Sequence, residues 1–208
     1  MVSDFLANIQ FRLGAEVDPA GRALSDTSWS GQLHGSENLW MLFEGAHVLT
    51  LMLFAGTIFM VDLRLLGVAF RDTPVSKVTD KLLPYTVIGF GLMVATGLLL
   101  FFANPLEYYH SFWFRLKFGF VLLAAANIFF FHFRVQADRS AWDQRARPPL
   151  GARASAALSL TLWTAIIVAG RFAAYDWLDC ERATGFVAAV SQCSAHNAAL
   201  ERIEAEIL

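Results

Sequence analysis

The chain has 208 residues, of which 56% are apolar and only 16% charged, where a soluble domain carries about 25%. A formal net charge of -2 excludes the strongly basic surface that nucleic-acid binding needs, so no nucleic-acid partner is expected. One domain is the default at this length, and the apolar residues, 19 Phe among them, fall in runs too long for an ordinary soluble core.

The segment 1–38 is acidic, with Asp4, Glu16, Asp18, Asp26 and Glu37 against Arg12 and Arg22. It lacks the basic start and early apolar stretch of a secretory signal. Phe5, Leu6, Ile9 and Leu13 fall at helical spacing and predict a short helix lying on the membrane or on the bundle. The first apolar run, 39–61, holds only Glu44 and His47 as ionisable residues. The second, 82–103, holds none. The third, 111–133, is interrupted by Arg115, Lys117 and His132, and the fourth, 154–175, by Arg171. Each is roughly 20 residues, enough to cross about 30 Å of hydrocarbon at about 1.5 Å per residue. Backbone groups in lipid must be satisfied within the segment, and no run alternates as a barrel strand does. The expected fold is all-α: an integral membrane four-helix bundle over 39–175, flanked by an extramembrane N-terminal segment (1–38) and a C-terminal tail (176–208) with short helices.

Charge orients this bundle. Arg64, Arg71, Lys77 and Lys81 lie between the first two runs, and Arg134, Arg139, Arg145, Arg147 and Arg153 between the last two. The connection 104–110 has no Lys or Arg, and the tail is mostly acidic. The positive-inside rule puts the basic connections in the cytoplasm and both termini on the outer, periplasmic side of the inner membrane. Cys180 and Cys193, the only cysteines, then share an oxidising compartment, where a disulfide would close a short loop. Cys193 with His196 also has the spacing of half a metal site, so both readings stand.

Charges inside spans need a reason, at roughly 2.5 to 3.5 kcal/mol each. Counted along the helical rise, Glu44 sits about 7 Å deep, His47 about 12 Å, Lys117 about 9 Å and Arg171 about 6 Å, in one outer layer. Glu44 and His47 face the same way, three residues apart. Lys117 is the inward choice on the third helix, which leaves Arg115 to snorkel to the headgroups. Thr161, Thr164 and Arg171 form one stripe with Ala157 and are expected to face protein, with Ser155 and Ser159 outside that stripe. Gly91 with Ala95, and Ala165 with Ala169, are expected at close helix contacts. A His beside a Glu and two cations suits a metal or haem iron, with the cations on haem propionates. The same residues also suit a purely structural role, tying helices together. His47 and His132 differ by about 18 Å in depth, too far to share one haem; His47 with His110 still leaves about 13 Å.

Glu44-Gly45-Ala46-His47, Phe54-Ala55-Gly56 and Asp62-Leu63-Arg64 resemble the opening helix of copper-resistance-D-like membrane proteins and their small four-helix relatives. Trp113-Phe114-Arg115-Leu116-Lys117, running on to Asn127 and His132, carries the same resemblance. The layout is also similar to the haem-binding membrane protoporphyrinogen oxidase of bacteria. The resemblance covers about residues 39–175. It implies a bundle with His47 and Lys117 as the matching functional positions and a b-type haem. The expectation is a haem-binding redox protein, with His47 on the iron and Glu44, His110, Lys117 and Arg171 around the cofactor. It would work in the bilayer with a membrane redox partner or as a homo-oligomer. A copper- or ion-handling module, or a non-catalytic subunit of a membrane complex, are the other readings.

Overall fold

The computed structural model describes residues 1–135, 140–175 and 178–207. The fold is all-α. Its elements are α1 (Val2–Phe11), α2 (Trp29–Gly35), α3 (Glu37–Leu66), α4 (Val75–Ala103), α5 (Pro105–His110), α6 (Phe112–Phe130), α7 (Leu150–Ala173), α8 (Gly185–Ser191) and α9 (Cys193–Ile207). A π turn, Phe131–Val135, continues α6. Four helices, Glu37–Leu66, Val75–Ala103, Phe112–Val135 and Leu150–Ala173, are long and apolar enough to cross a membrane. At most a third of each apolar window is buried within the protein, which leaves the rest for lipid or further helices. The chain is a multi-pass membrane protein.

The helices overrun the apolar runs. α3 stops only at Gly67, whose positive φ of 71° suits a residue without a side chain, and where a Cβ would meet the Ala146 carbonyl at 2.9 Å. Arg64, Lys77 and Lys81 therefore ride on helix ends, and the connection itself shrinks to 67–74.

Two compact units share the four long helices. The first comprises Met1–His47, Val94–Leu116 and Ala169–Leu208. Its core is a cluster of Leu6 and Ala7 from α1, Leu106 from α5, and Ala199 and Ile203 from α9, with Phe11, Phe101, Tyr109 and Leu200 packed around it. α1 is thus a core element of a helical cap, with Leu6 and Ala7 buried under its neighbours. Pro105 starts α5 at a position where a missing N–H is harmless. The Leu106 amide donates to Gln10 Oε1 at 3.0 Å, and Ser30 Oγ donates to the Ala103 carbonyl at 2.7 Å. The Cys180–Cys193 disulfide is formed, with the Cα atoms 5.1 Å apart. Arg115 turns to this cap and not to headgroups. Its Nε and Nη1 donate to the Tyr109 and Val190 carbonyls, each at 2.8 Å, and the guanidinium stacks 4.7 Å over the Tyr109 ring. These carbonyls close the C-terminal ends of α5 and α8, where orphan acceptors attract a cation.

The second unit comprises Val48–Met93 and Lys117–Val168. Phe54, Ala124, Leu162, Trp163 and Ile166 form its core, with Met93 completing a contribution from all four long helices. The Phe54 and Trp163 rings meet edge to face at 4.7 Å. At the connection end, Leu65, Val75, Trp142, Ala152 and Ala156 form a further cluster. Asp143 there accepts from the Ser76 amide at 2.7 Å and from Ser76 Oγ at 2.6 Å, capping the start of α4 from a distant loop. Arg64 is fully buried, donating through Nε to Thr73 O at 2.7 Å and through Nη2 to Arg145 O at 3.0 Å.

Two expectations about faces are corrected. On α7 the buried residues are Ala152, Ser155, Ala156, Ser159, Leu162, Trp163, Ile166, Ala169 and Ala173, whereas Ala157, Thr161, Thr164 and Arg171 are exposed. The threonines need no protein partner, because their hydroxyls donate to the carbonyls of Ala157 (2.9 Å) and Leu160 (2.7 Å) one turn back. Gly91 and Ala95 are exposed, and close approach falls to other glycines. A Cβ on Gly89 would meet the Phe54 amide nitrogen at 3.0 Å, and one on Gly97 would meet the His47 ring at 3.1 Å.

Candidate functional site

His47 lies half-buried on α3, in the first unit. Its Nδ1 is 3.0 Å from Thr96 Oγ1 on α4. Gly97 follows Thr96, and its missing side chain leaves room for the imidazole, whose Cε1 would touch a Cβ there. Thr96 and Gly97 thus fix the ring by one hydrogen bond and one flat contact. A hydrogen bond at Nδ1 orients the ring, as the partner at the second nitrogen of a ligating histidine does. Glu44 is half-buried one turn before His47.

Each of the other expected site residues has surroundings of its own. Arg171 lies on the exposed face of α7 and turns to Tyr175, donating to its hydroxyl with the guanidinium 4.4 Å from the ring centroid. Lys117 is half-buried on α6 and belongs to the second unit. His110 is in the cap and buried, and both of its ring nitrogens are engaged. Nδ1 lies 2.7 Å from the Ser191 carbonyl and Nε2 3.1 Å from Ser3 Oγ. A histidine held at both nitrogens has no lone pair to offer an iron, so His110 is a cap residue and not a partner of His47. His132 is exposed on the π turn with its ring edge-on to Phe133. Trp113, part of the quoted motif, stacks on Phe172 at 4.7 Å within the first unit.

Three polar groups outside the expected site residues lie in the second unit; Asp62 and Asn127 are on the quoted motifs, but their partners were not legible in the sequence. Asn127 and Ser155 bond reciprocally: Ser155 Oγ donates to Asn127 Oδ1 at 2.9 Å, and Asn127 Nδ2 donates to the Ser155 carbonyl at 3.0 Å. Thr86 donates to Thr57 Oγ1 at 2.9 Å. Asp62 is buried with a hydrogen bond to Ser159. Cys193 pairs with Cys180, so the alternative of a Cys193–His196 metal site falls away. His196 instead bonds Glu107 Oε1 through Nε2 at 3.0 Å. Among the described residues no three His, Cys, Asp or Glu side chains gather as a metal-holding group.

Residues 26–176 match the model of a family of unknown function, DUF6644, over most of the chain. The chain belongs to DUF6644. The matched segment takes in all four spans together with His47, Thr96, Gly97, Lys117 and Arg171, while α1, α8, α9 and the disulfide lie outside it. No curated protein and no solved structure matches the chain.

Proposed function

We propose that this DUF6644 protein is a membrane redox protein that binds a b-type haem through His47. The observation that carries this reading is the oriented imidazole: Nδ1 held by Thr96 Oγ1 at 3.0 Å, the ring seated on Gly97. Ligating histidines are aimed in this way by a partner at the second nitrogen. A bound haem would supply one-electron transfer. Thr96 holds His47 in one direction, and Gly97 lets α4 pass close enough for that bond. His110, held at both nitrogens, is not the second axial ligand. A copper-handling module finds less support, since such a site needs several donors together.

We infer that the cap faces the outer side of the inner membrane. Two independent features support this orientation: the basic residues of the two long connections, and the Cys180–Cys193 disulfide, which persists in an oxidising compartment.

The test is the visible absorption spectrum of the full chain purified from haem-replete cells. A Soret band is expected, abolished in His47→Ala and retained in His110→Gln. Thr96→Val should weaken haem retention by about 10- to 100-fold, the usual loss on removing a ligand's orienting partner. A colourless protein overturns the reading.

A further inference from the structure

Glu107, His110 and His196 meet inside the cap, where α1, α5 and α9 converge. The His110 and His196 rings stand edge to face with centroids 5.3 Å apart, at 2% and 5% exposure. What their nitrogens face differs. His196 presents both to oxygen: Nε2 to Glu107 Oε1 at 3.0 Å and Nδ1 to Asn197 Oδ1 at 3.1 Å. With both oxygens accepting, the imidazole donates twice, as only the protonated ring can. His110 faces one obligate acceptor, the Ser191 carbonyl, through Nδ1, and the Ser3 hydroxyl through Nε2. A neutral ring satisfies both, with Ser3 donating to Nε2.

We propose that His110 and His196 form a one-proton clasp that keeps α1 and α9 docked on α5 while the pair carries a single proton. A second proton would set two imidazolium rings against each other in a buried site and turn Ser3 from donor to acceptor. Loss of the first would leave the Glu107 carboxylate without its charged partner. Other charges face the cluster from the surrounding elements. Arg115 on α6 opposes a charge on His110, whereas Glu181 favours one on His196. Asp179 and the Glu107 carboxylate line the small space beside His110. On the next turn of α1 and α9, Asp4 pairs with Arg202 and with the Met1 amine.

The electrostatics run in the same direction. Burial holds His110 below the ordinary histidine value of 6.5. The hydrogen bond to Glu107 holds His196 above 6.5, and the same bond holds Glu107 below the usual carboxylate range. A depressed histidine contributes stability that is lost as pH falls below 6.5, and a raised one contributes stability that is lost as pH rises above it. Docking should therefore be tightest near 6.5 and weaken on both sides, by up to about tenfold per pH unit, the limit for one proton.

Hydrogen exchange of the full chain in nanodiscs, normalised for the intrinsic pH dependence of exchange, reads this directly. Protection of α1 and α9 is expected to pass through a maximum near pH 6.5, with the four spans unchanged. His110→Gln, which retains hydrogen-bonding groups, should abolish the acid-side loss; His196→Gln should abolish the alkaline-side loss. Should either variant misfold, ring-nitrogen NMR shifts of labelled wild type decide: at pH 6.5 His196 is mostly charged and His110 mostly neutral. Flat protection across this range, or both histidines titrating together near 6.5, overturns the proposal. Neither result bears on haem binding by His47.

Discussion

At the scale of single residues, each histidine is defined by what its two nitrogens face. His47 has one nitrogen on a hydroxyl, His110 has a carbonyl and a hydroxyl, and His196 has a carboxylate and an amide oxygen. Residue type and depth could single out His47 and its neighbour Glu44. They could not supply Thr96 or Gly97, because α3 and α4 are antiparallel partners whose register is set by packing along their full length. Gly97→Ala tests that packing: a Cβ 3.1 Å from the ring must push His47 aside. The expected outcome is reduced chromophore retention with unchanged helix content by circular dichroism. Asn127 and Ser155 offer a second test. Burial in a bilayer brings little hydrophobic gain over lipid, so a reciprocal polar pair counts directly. Asn127→Leu should lower stability in detergent by about 0.6 to 1.7 kcal/mol, measured by reversible denaturant titration of the helical signal.

At the scale of elements, α7 shows where pattern reading misleads. A polar stripe is assumed to seek protein, yet Thr161 and Thr164 satisfy their own hydroxyls one turn back and stay on the exposed face. The small residues Ala152, Ser155, Ala156 and Ser159 instead let neighbouring helices approach, and Leu162, Trp163 and Ile166 continue that face. The two faces predict opposite outcomes. Thr161→Val with Thr164→Val should change stability by less than about 0.5 kcal/mol. Ser159→Val should destabilise clearly, because it removes a hydrogen bond from the buried Asp62. Thermal unfolding of the two variants side by side checks the assignment. The four spans themselves were legible because length and apolarity are local properties. α5 was not: the six residues from Pro105 to His110 give no periodic signal, and its partners α1 and α9 are far from it in sequence. The loop cap of α4 by Asp143 was hidden for the same reason, since its partner Ser76 is 67 residues away.

At the scale of the whole molecule, water and lipid set different rules for different parts. The cap core of Leu6, Leu106 and Ile203 is buried against water if the cap lies outside the bilayer, so ordinary hydrophobic energetics apply. Leu6→Ala should then weaken the cap by about 2 to 5 kcal/mol, detected as faster exchange of α1 and α9. The disulfide joins residues 13 apart, a loop whose closure contributes about 3 kcal/mol in the chain-entropy account. Cys180→Ser with Cys193→Ser should therefore loosen the cap while the spans keep their helicity, as read by circular dichroism and exchange together. The Asp4–Arg202 pair connects positions 198 apart, where α1 docks against α9. α1 also packs against α2 and α5, so only the last part of its burial waits for α9. Closure of the cap therefore depends on an even number of crossings: with one span left out, α9 would lie across the membrane from α1, and Ala199 and Ile203 would lose Leu6 and Ala7 as neighbours.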